Sequence, residues 1–182
     1  GRVYVHFGPH GTACFDTSGK KIWTTQALQY LPLHGNGGSP VLSDELLIVT
    51  CDGRDVQYVA ALRKADGELV WQTPRDTSPS RGFSFCTPTI INVDGQLQAV
   101  CPGSTAVFAY DPDSGKEIWR VDYGEGYSVV PKPQFAHGLV YICTGFGDAR
   151  LLAIDPTGKG NITDSHVRWS TGKGVPKSST PI

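Results

Sequence analysis

The sequence predicts an all-β chain, a β-propeller built from four-stranded antiparallel blades. Three observations carry that prediction. First, one stretch, Ala109-Tyr110-Asp111-Pro112-Asp113-Ser114-Gly115-Lys116-Glu117-Ile118-Trp119, recurs four times, and its tryptophans Trp23, Trp71, Trp119 and Trp169 follow one another at intervals of 48, 48 and 50 residues. A fixed period of about 40–50 residues is the mark of a propeller or solenoid. Second, short β-rich runs bounded by Gly, Pro, Asn and Asp turns fill each interval. Third, no stretch shows a helical period. The chain holds about four blades, an expected part of a larger seven- or eight-bladed ring.

The first unit, residues 1–25, shows three strands. Arg2–Phe7 alternates apolar Val3, Val5 and Phe7 with Tyr4 and His6. Gly8-Pro9-His10-Gly11 turns the chain into Thr12–Phe15, and Asp-Thr-Ser-Gly turns it again into Lys21–Thr25. Gln26–Gly38 is a loop. The second unit, residues 39–73, has four strands: Ser39–Leu42, Glu45–Cys51, Gln57–Arg63 and Leu69–Thr73. The apolar run within Glu45–Cys51 suits a strand buried on both faces. Pro74–Phe85 leads out.

The third unit, residues 87–122, repeats the order through Thr87–Ile91, Leu97–Cys101, Ala106–Tyr110 and Glu117–Asp122. Asn92-Val93-Asp94-Gly95 makes its first hairpin turn. Tyr123–Pro131 leads to the fourth unit, residues 132–170, with strands at Lys132–Phe135, Leu139–Thr144, Arg150–Ile154 and His166–Ser170. Gly160–Ser165 is an insertion before Trp169. Residues 179–182, Ser-Thr-Pro-Ile, match the openings Ser39-Pro40 and Thr87-Pro88, and are expected to begin a further blade. The chain has no Met and begins at Gly1, so it is expected to be an interior piece of a longer protein.

A blade is a twisted sheet that cannot bury both faces alone, so neighbouring blades must pack face to face. An outer-strand tryptophan is suited to close that gap, with its indole N–H reaching a backbone carbonyl. The turn glycines Gly19, Gly67, Gly115 and Gly158 let the backbone come close to it. These eight residues are read as structural blade-docking residues.

A net charge of −1 gives no reason to expect nucleic acid or an anionic membrane, and no apolar run approaches the ~18 residues of a membrane span. Five cysteines without a Cys-x-x-Cys pair read as small buried hydrophobes, with a disulfide or metal site as the alternative. No serine-nucleophile elbow, zinc-helix motif or phosphate loop occurs. The five histidines are scattered, with His6 and His10 the pair placed to converge.

The pattern Ala-x-Asp-x-x-x-Gly-Lys-x-x-Trp at Ala109–Trp119 resembles the tryptophan-docking motif of the quinoprotein (PQQ-like) β-propellers. The stretches Gly1–Trp23, Asp55–Leu62 and Gly126–Gly145 resemble the secreted PQQ-binding-like repeat proteins of planctomycetes. The resemblance covers the whole chain and implies a periplasmic or extracellular location. Its superfamily holds PQQ-dependent dehydrogenases as well as non-enzymatic members. Those enzymes resemble one another in a vicinal Cys-Cys pair and a calcium-binding Glu/Asn set with a catalytic Asp, and no Cys-Cys occurs here. The expectation is a non-catalytic binding or scaffold module with no cofactor. A dehydrogenase fragment holding PQQ and a ligand-sensing domain of a signalling protein are the alternatives.

In propellers of this kind the loops between blades and the second hairpin of each blade share one face. Here that face collects His34, Asn36, Arg54, Asp55, Arg81, Tyr127 and Lys177. His10, Asp52, Arg75, Asp76, Tyr123, Glu125, Phe146 and Asp148 join them in the wider set. The mixture suits a protein, peptide or glycan partner. Head-to-tail self-association that completes a ring is a further expectation.

Overall fold

The structure, a computed structural model, describes residues 1–181. The expectation at residues 179–182 falls partly on Ile182, outside the described residues.

Four blade sheets follow one another along the chain, and a fifth, two-stranded sheet joins two of the loops. Blade 1 is β1 (Arg2–His6), β2 (Thr12–Asp16) and β3 (Lys21–Thr25). Blade 2 is β4 (Val41–Ser43), β5 (Leu46–Asp52), β6 (Gln57–Arg63) and β7 (Leu69–Pro74). Blade 3 is β8 (Thr89–Val93), β9 (Gln96–Pro102), β10 (Ala106–Tyr110) and β11 (Glu117–Asp122). A short strand β12 (Gly126–Tyr127) follows. Blade 4 contains β13 (Gln134–Ala136) and β14 (Leu139–Cys143), then β15 (Phe146–Gly147) outside the sheet, and β16 (Leu151–Ile154). It ends with β17 (Gly160–Asn161), a helical turn α1 (Thr163–His166) and β18 (Val167–Thr171), which pairs with β16. The sheets form an open, partial propeller. Ser179–Pro181 carry no strand, although the Lys132 backbone N–H donates to Thr180 Oγ1 at 3.1 Å.

One irregularity repeats in all four blades. The outer strand carries one extra residue beside the strand it pairs with, at Cys14/Phe15, Ala61/Leu62, Ala109/Tyr110 and Ala153/Ile154. Such a bulge bends and twists the strand that carries it. Each tryptophan follows the bulge and lies opposite a small residue: Cys14, Ala61, Ala109 or Ala153.

The core lies between the blades, in three layers. Leu47, Val49 and Cys51 of β5 pack toward blade 1 with Tyr58, Ala60 and Leu28. The intervening Ile48 packs toward blade 3 with Phe108, Tyr110 and Cys101. Alternation along one strand thus feeds two interfaces, which is why the run is apolar throughout. Val100, Val107 and Trp119 face Val140, Ile142 and Ile154 in the third layer.

Indole N–H groups cross two of the gaps. Trp23 Nε1 donates to the Lys64 carbonyl and Trp71 Nε1 to the Pro112 carbonyl, both at 3.0 Å. A Cβ on Gly67 would lie 2.7 Å from the Trp23 ring, and one on Gly115 would lie 2.4 Å from the Trp71 ring. Each glycine is therefore a place where the next blade's backbone meets the tryptophan face.

The third gap is built differently. Trp119 is fully buried, and its Nε1 donates to Gln98 Oε1 at 2.7 Å. The Gln98 amide passes the link on, donating to the Pro156 carbonyl at 3.2 Å. Gly158 meets Ile162 and His166 of its own blade rather than a tryptophan. The insertion is also more than a loop. β17 pairs in parallel with β11 of the preceding blade, and Ile162 N–H donates to the Arg120 carbonyl at 2.9 Å.

Gly115 sits at φ +70° under the Trp71 ring, whereas Gly95 sits at φ +88° in open space. Gly95→Ala should cost only its backbone strain, about 1 kcal/mol. Gly115→Ala adds a clash that separates two blades and should cost at least about 2–3 kcal/mol. Urea unfolding midpoints of the two variants check the difference.

Candidate functional site

Successive hairpin turns in a blade alternate between its two ends. The loops that leave each outer strand therefore lie at the same end as the second hairpin. Backbone hydrogen bonds tie these loops together across blades. Ser128 N–H donates to the Phe83 carbonyl at 3.1 Å, and Phe85 N–H to the Val129 carbonyl at 2.9 Å. Strand β12 pairs with β15, setting Tyr127 opposite Phe146 and Gly126 opposite Gly147. Thr105 N–H donates to the Gly126 carbonyl at 2.7 Å.

Burial alternates along the segment 83–86. Ser84 and Cys86 turn inward, bonding the carbonyls of Val129 and Pro131. Phe83 and Phe85 turn to the other side, where they meet rings from neighbouring loops. His34 and Phe83 stand edge to face at 5.8 Å, Phe83 and Tyr127 at 6.1 Å, and Tyr127 leads on to Phe146 at 6.3 Å. The Arg81 guanidinium lies 4.4 Å from the Tyr127 ring centroid, and Lys177 Nζ 5.7 Å from that of Phe146. Both distances are within cation–π range.

Two clefts open here. One, of about 610 Å³, is lined mainly by the rings with Leu33 and Val130. The other, of about 510 Å³, is lined by Thr105, Glu125, Gly126, Gly147 and the segment Thr77–Arg81. Arg81 and Tyr127 border both.

The structure thus brings together His34, Arg81, Tyr127 and Lys177 of the residues singled out from sequence. Arg54 and Asp55 sit on an adjacent turn, bound to the Leu31 backbone: Arg54 N–H donates to its carbonyl and Asp55 Oδ1 accepts its N–H. Phe83 and Phe85 were not among the singled-out residues. The Phe-Ser-Phe-Cys alternation is the signal that points to them.

Asn36 faces inward, into a closed network with His6. Tyr30 O–H donates to Asn36 Oδ1 at 2.8 Å, so the Tyr30 oxygen accepts from His6 Nε2 at 3.0 Å. His6 Nδ1 then accepts from the Thr12 hydroxyl at 2.9 Å. Asn36 Nδ2 closes the loop on the His6 and Gly38 carbonyls. His6 is engaged with Thr12 and Tyr30 rather than with His10, which lies in an exposed turn.

Asp52 and Arg75, in the wider set, are not solvent-facing loop polarity. They form a buried ion pair, Arg75 Nη1 to Asp52 Oδ2 at 3.0 Å. Arg75 also donates to the Pro102 carbonyl and lies over the Phe108 ring, joining blade 2 to blade 3. Burial pushes the Asp52 carboxyl up to about 6, against the pull of Arg75. A Cβ on Gly103 would lie 2.0 Å from Arg75 Nη1, so only glycine leaves room for this arginine. All five cysteines are buried and free, and burial raises Cys51, Cys86, Cys101 and Cys143. Among the described residues no group of three His, Cys, Asp or Glu is placed to hold a metal ion.

Burial lowers His6 to about 4 from an ordinary 6.5. The folded state holds it neutral, while the unfolded chain takes up a proton below pH 6.5. Its contribution is therefore complete above pH 6.5 and is lost as the pH falls toward 4, on the order of 3 kcal/mol in all. Melting temperatures of the wild type and His6→Gln across pH 7.5–4 should show a steeper acid decline in the wild type.

The family model described as outer membrane protein assembly factor BamB matches residues 1–91 and 55–180. The structure of BamB from Moraxella catarrhalis superposes with a TM-score of 0.62 at 15% identity, over 82% of this chain and 44% of that one. Quinohemoprotein alcohol dehydrogenase ADHIIG from Pseudomonas putida HK5 gives 0.65 at 15% identity, over 98% of this chain and 33% of that one. The PilY1 C-terminal domain of Pseudomonas aeruginosa gives 0.59 at 22% identity, over 85% and 38%. This chain thus spans less than half the length of those structures, and the likeness to them is one of fold. A comparison with curated proteins returned no match. With the family match running over nearly its whole length, the chain belongs to the BamB-type family of PQQ-like β-propeller repeats.

Proposed function

We propose that the chain is a non-catalytic propeller module that binds a protein partner through its loop face, in the bacterial envelope. The observation that carries this reading is the cleft pair built by loops from successive blades, with ring edges and two cations facing outward. Among the described residues neither Arg81 nor Lys177 has a carboxylate within ion-pair distance. Exposed aromatic rings beside unpaired cations are the composition of a recognition surface. The family takes its description from an outer membrane protein assembly factor, which supports a protein partner and an envelope location. Among the described residues no helix is long and apolar enough to cross a membrane.

The donor set does not fit a quinone held through a divalent cation. Glu125 is the one carboxylate lining either cleft, where a hard cation takes six or more oxygens.

The two open faces carry unmatched halves of the inter-blade contact. Trp169 is 45% exposed beside Tyr141, and a Cβ on Gly19 would meet nothing within 4 Å. The proposal includes a further blade at each face, supplied by a longer chain or head-to-tail by a second copy.

Purified protein mixed with PQQ and Ca²⁺ should show no change in absorbance or melting temperature and no alcohol-dependent dye reduction. A photo-crosslinking residue in place of Tyr127 should capture a discrete protein in native cells. The same residue in place of Asp94, in a hairpin turn at the opposite end, should not. Dye reduction dependent on PQQ, or equal capture from both positions, contradicts the reading.

A further inference from the structure

We propose that the two joined clefts take an extended polypeptide segment in which a bulky aromatic side chain stands next to a carboxylate. This rests on the loop-face reading and names the chemistry of its partner.

The larger cleft, of about 610 Å³, has room for a bulky side chain together with its chain neighbours. Two of its ring pairs stand edge to face, at 87° for His34 and Phe83 and 79° for Phe83 and Tyr127, and the others are tilted by 35–46°, so the rings form no flat platform. Arg81 and Lys177 cover the faces of Tyr127 and Phe146. A sugar ring stacks flat on an open aromatic face, and the cations compete for the faces of Tyr127 and Phe146. An aromatic side chain, which packs edge to face, fits the remaining space. The cations that cover the rings are held against apolar surface without a partner of their own. A carboxylate arriving beside the aromatic group would meet the exposed Arg81, whose guanidinium can bind it through two parallel N–H groups.

The smaller cleft continues from Arg81 and is walled by backbone. A Cβ on Gly147 would lie 2.1 Å from the Glu125 carbonyl oxygen, and one on Gly126 would lie 2.6 Å from that of Thr144. Only glycines allow those strands to approach so closely, and the resulting wall suits a main chain lying along it.

Backbone strain gathers at the same place. Six non-glycine residues have φ in the left-handed region among the described residues. Asp44, Asp94 and His137 lie in first hairpin turns, where the turn itself requires it. The other three, Ser78 (φ 41°), Thr105 (φ 69°) and Ser128 (φ 48°), all line the two clefts. Thr105 is β-branched, the type least tolerant of that region. It is held there by its N–H to the Gly126 carbonyl and by Tyr123 N–H donating to its own carbonyl. Strain of this kind persists where surroundings over-determine it, and it clusters at ligand clamps.

The test is fluorescence anisotropy with a labelled ten-residue peptide carrying two Asp-Phe pairs. Saturable micromolar binding is expected. It should weaken about tenfold or more with Arg81→Ala or Phe83→Ala, and likewise when the peptide's Phe become Ala or its Asp become Asn. Lys21→Ala, an exposed cation on the outer strand of blade 1, should leave binding unchanged. Circular dichroism melts confirm that each variant is folded. Equal binding by the Phe→Ala peptide or by Arg81→Ala protein overturns the proposal, as does binding of a chito-oligosaccharide in place of the peptide. Absence of peptide binding with Tyr127 crosslinking intact overturns this chemistry alone. Absence of both overturns the loop-face reading as well.

Discussion

The fold depends on how one blade is fastened to the next. A β-sheet blade gains little stability by itself, because each face needs a neighbour to exclude water. The tryptophan that reaches across each of the first two gaps does two things at once. Its ring covers the glycine turn of the following blade, and its N–H finds an acceptor there, at Lys64 and at Pro112. A buried indole N–H without an acceptor costs about 1–3 kcal/mol, so the acceptor's position is under as much constraint as the ring's. The third gap shows that constraint at work. Trp119 bonds Gln98, and Gln98 reaches Pro156. The same carbonyl position serves in all three gaps, with one side chain interposed in the last.

The far end of the same gaps carries the loop face. Arg75, locked on Asp52 and lying over Phe108, fastens blades 2 and 3 at that end as Trp71 does at the other. Its buried guanidinium is expensive to desolvate; Nη1 bonds the carboxylate and the Pro102 carbonyl, while Nε and Nη2 have no partner. Between these anchors run the loops that carry Phe83, Tyr127 and Phe146. The cleft walls therefore inherit their positions from the core: hydrogen bonds to Phe83 and Val129 join the loops that leave blades 2 and 3, and one to Gly126 ties the latter loop to a hairpin of blade 3.

The repeat made the fold legible. Tryptophan spacing, apolar runs and Asp-Gly turns are local signals, and the strands fall where those signals lie. Three features were not legible, each because tertiary context decides it. The insertion at residues 160–165 has no strand composition, yet Gly160–Asn161 pairs with β11 because that outer edge is free to receive it. Asp52 precedes Gly53 and reads as turn polarity, and only the approach of Arg75, just past the end of β7, makes it part of a buried pair. Asn36 reads as loop polarity, and its engagement with Tyr30 depends on His6, thirty residues earlier. The loop face was legible as a region, through the unrepeated loops. The convergence of its rings on Arg81 was not, since they come from sequence-distant loops.

The central claim is that inter-blade fastening makes the loop face a rigid part of the core. Native-state hydrogen exchange tests it most directly, comparing the amides of Phe85, Thr105 and Ser128 with that of Val100 in β9. The account predicts that all four exchange through the same global opening, with one dependence on denaturant. Fast, denaturant-independent exchange at Phe85, Thr105 and Ser128 while Val100 stays protected would contradict it.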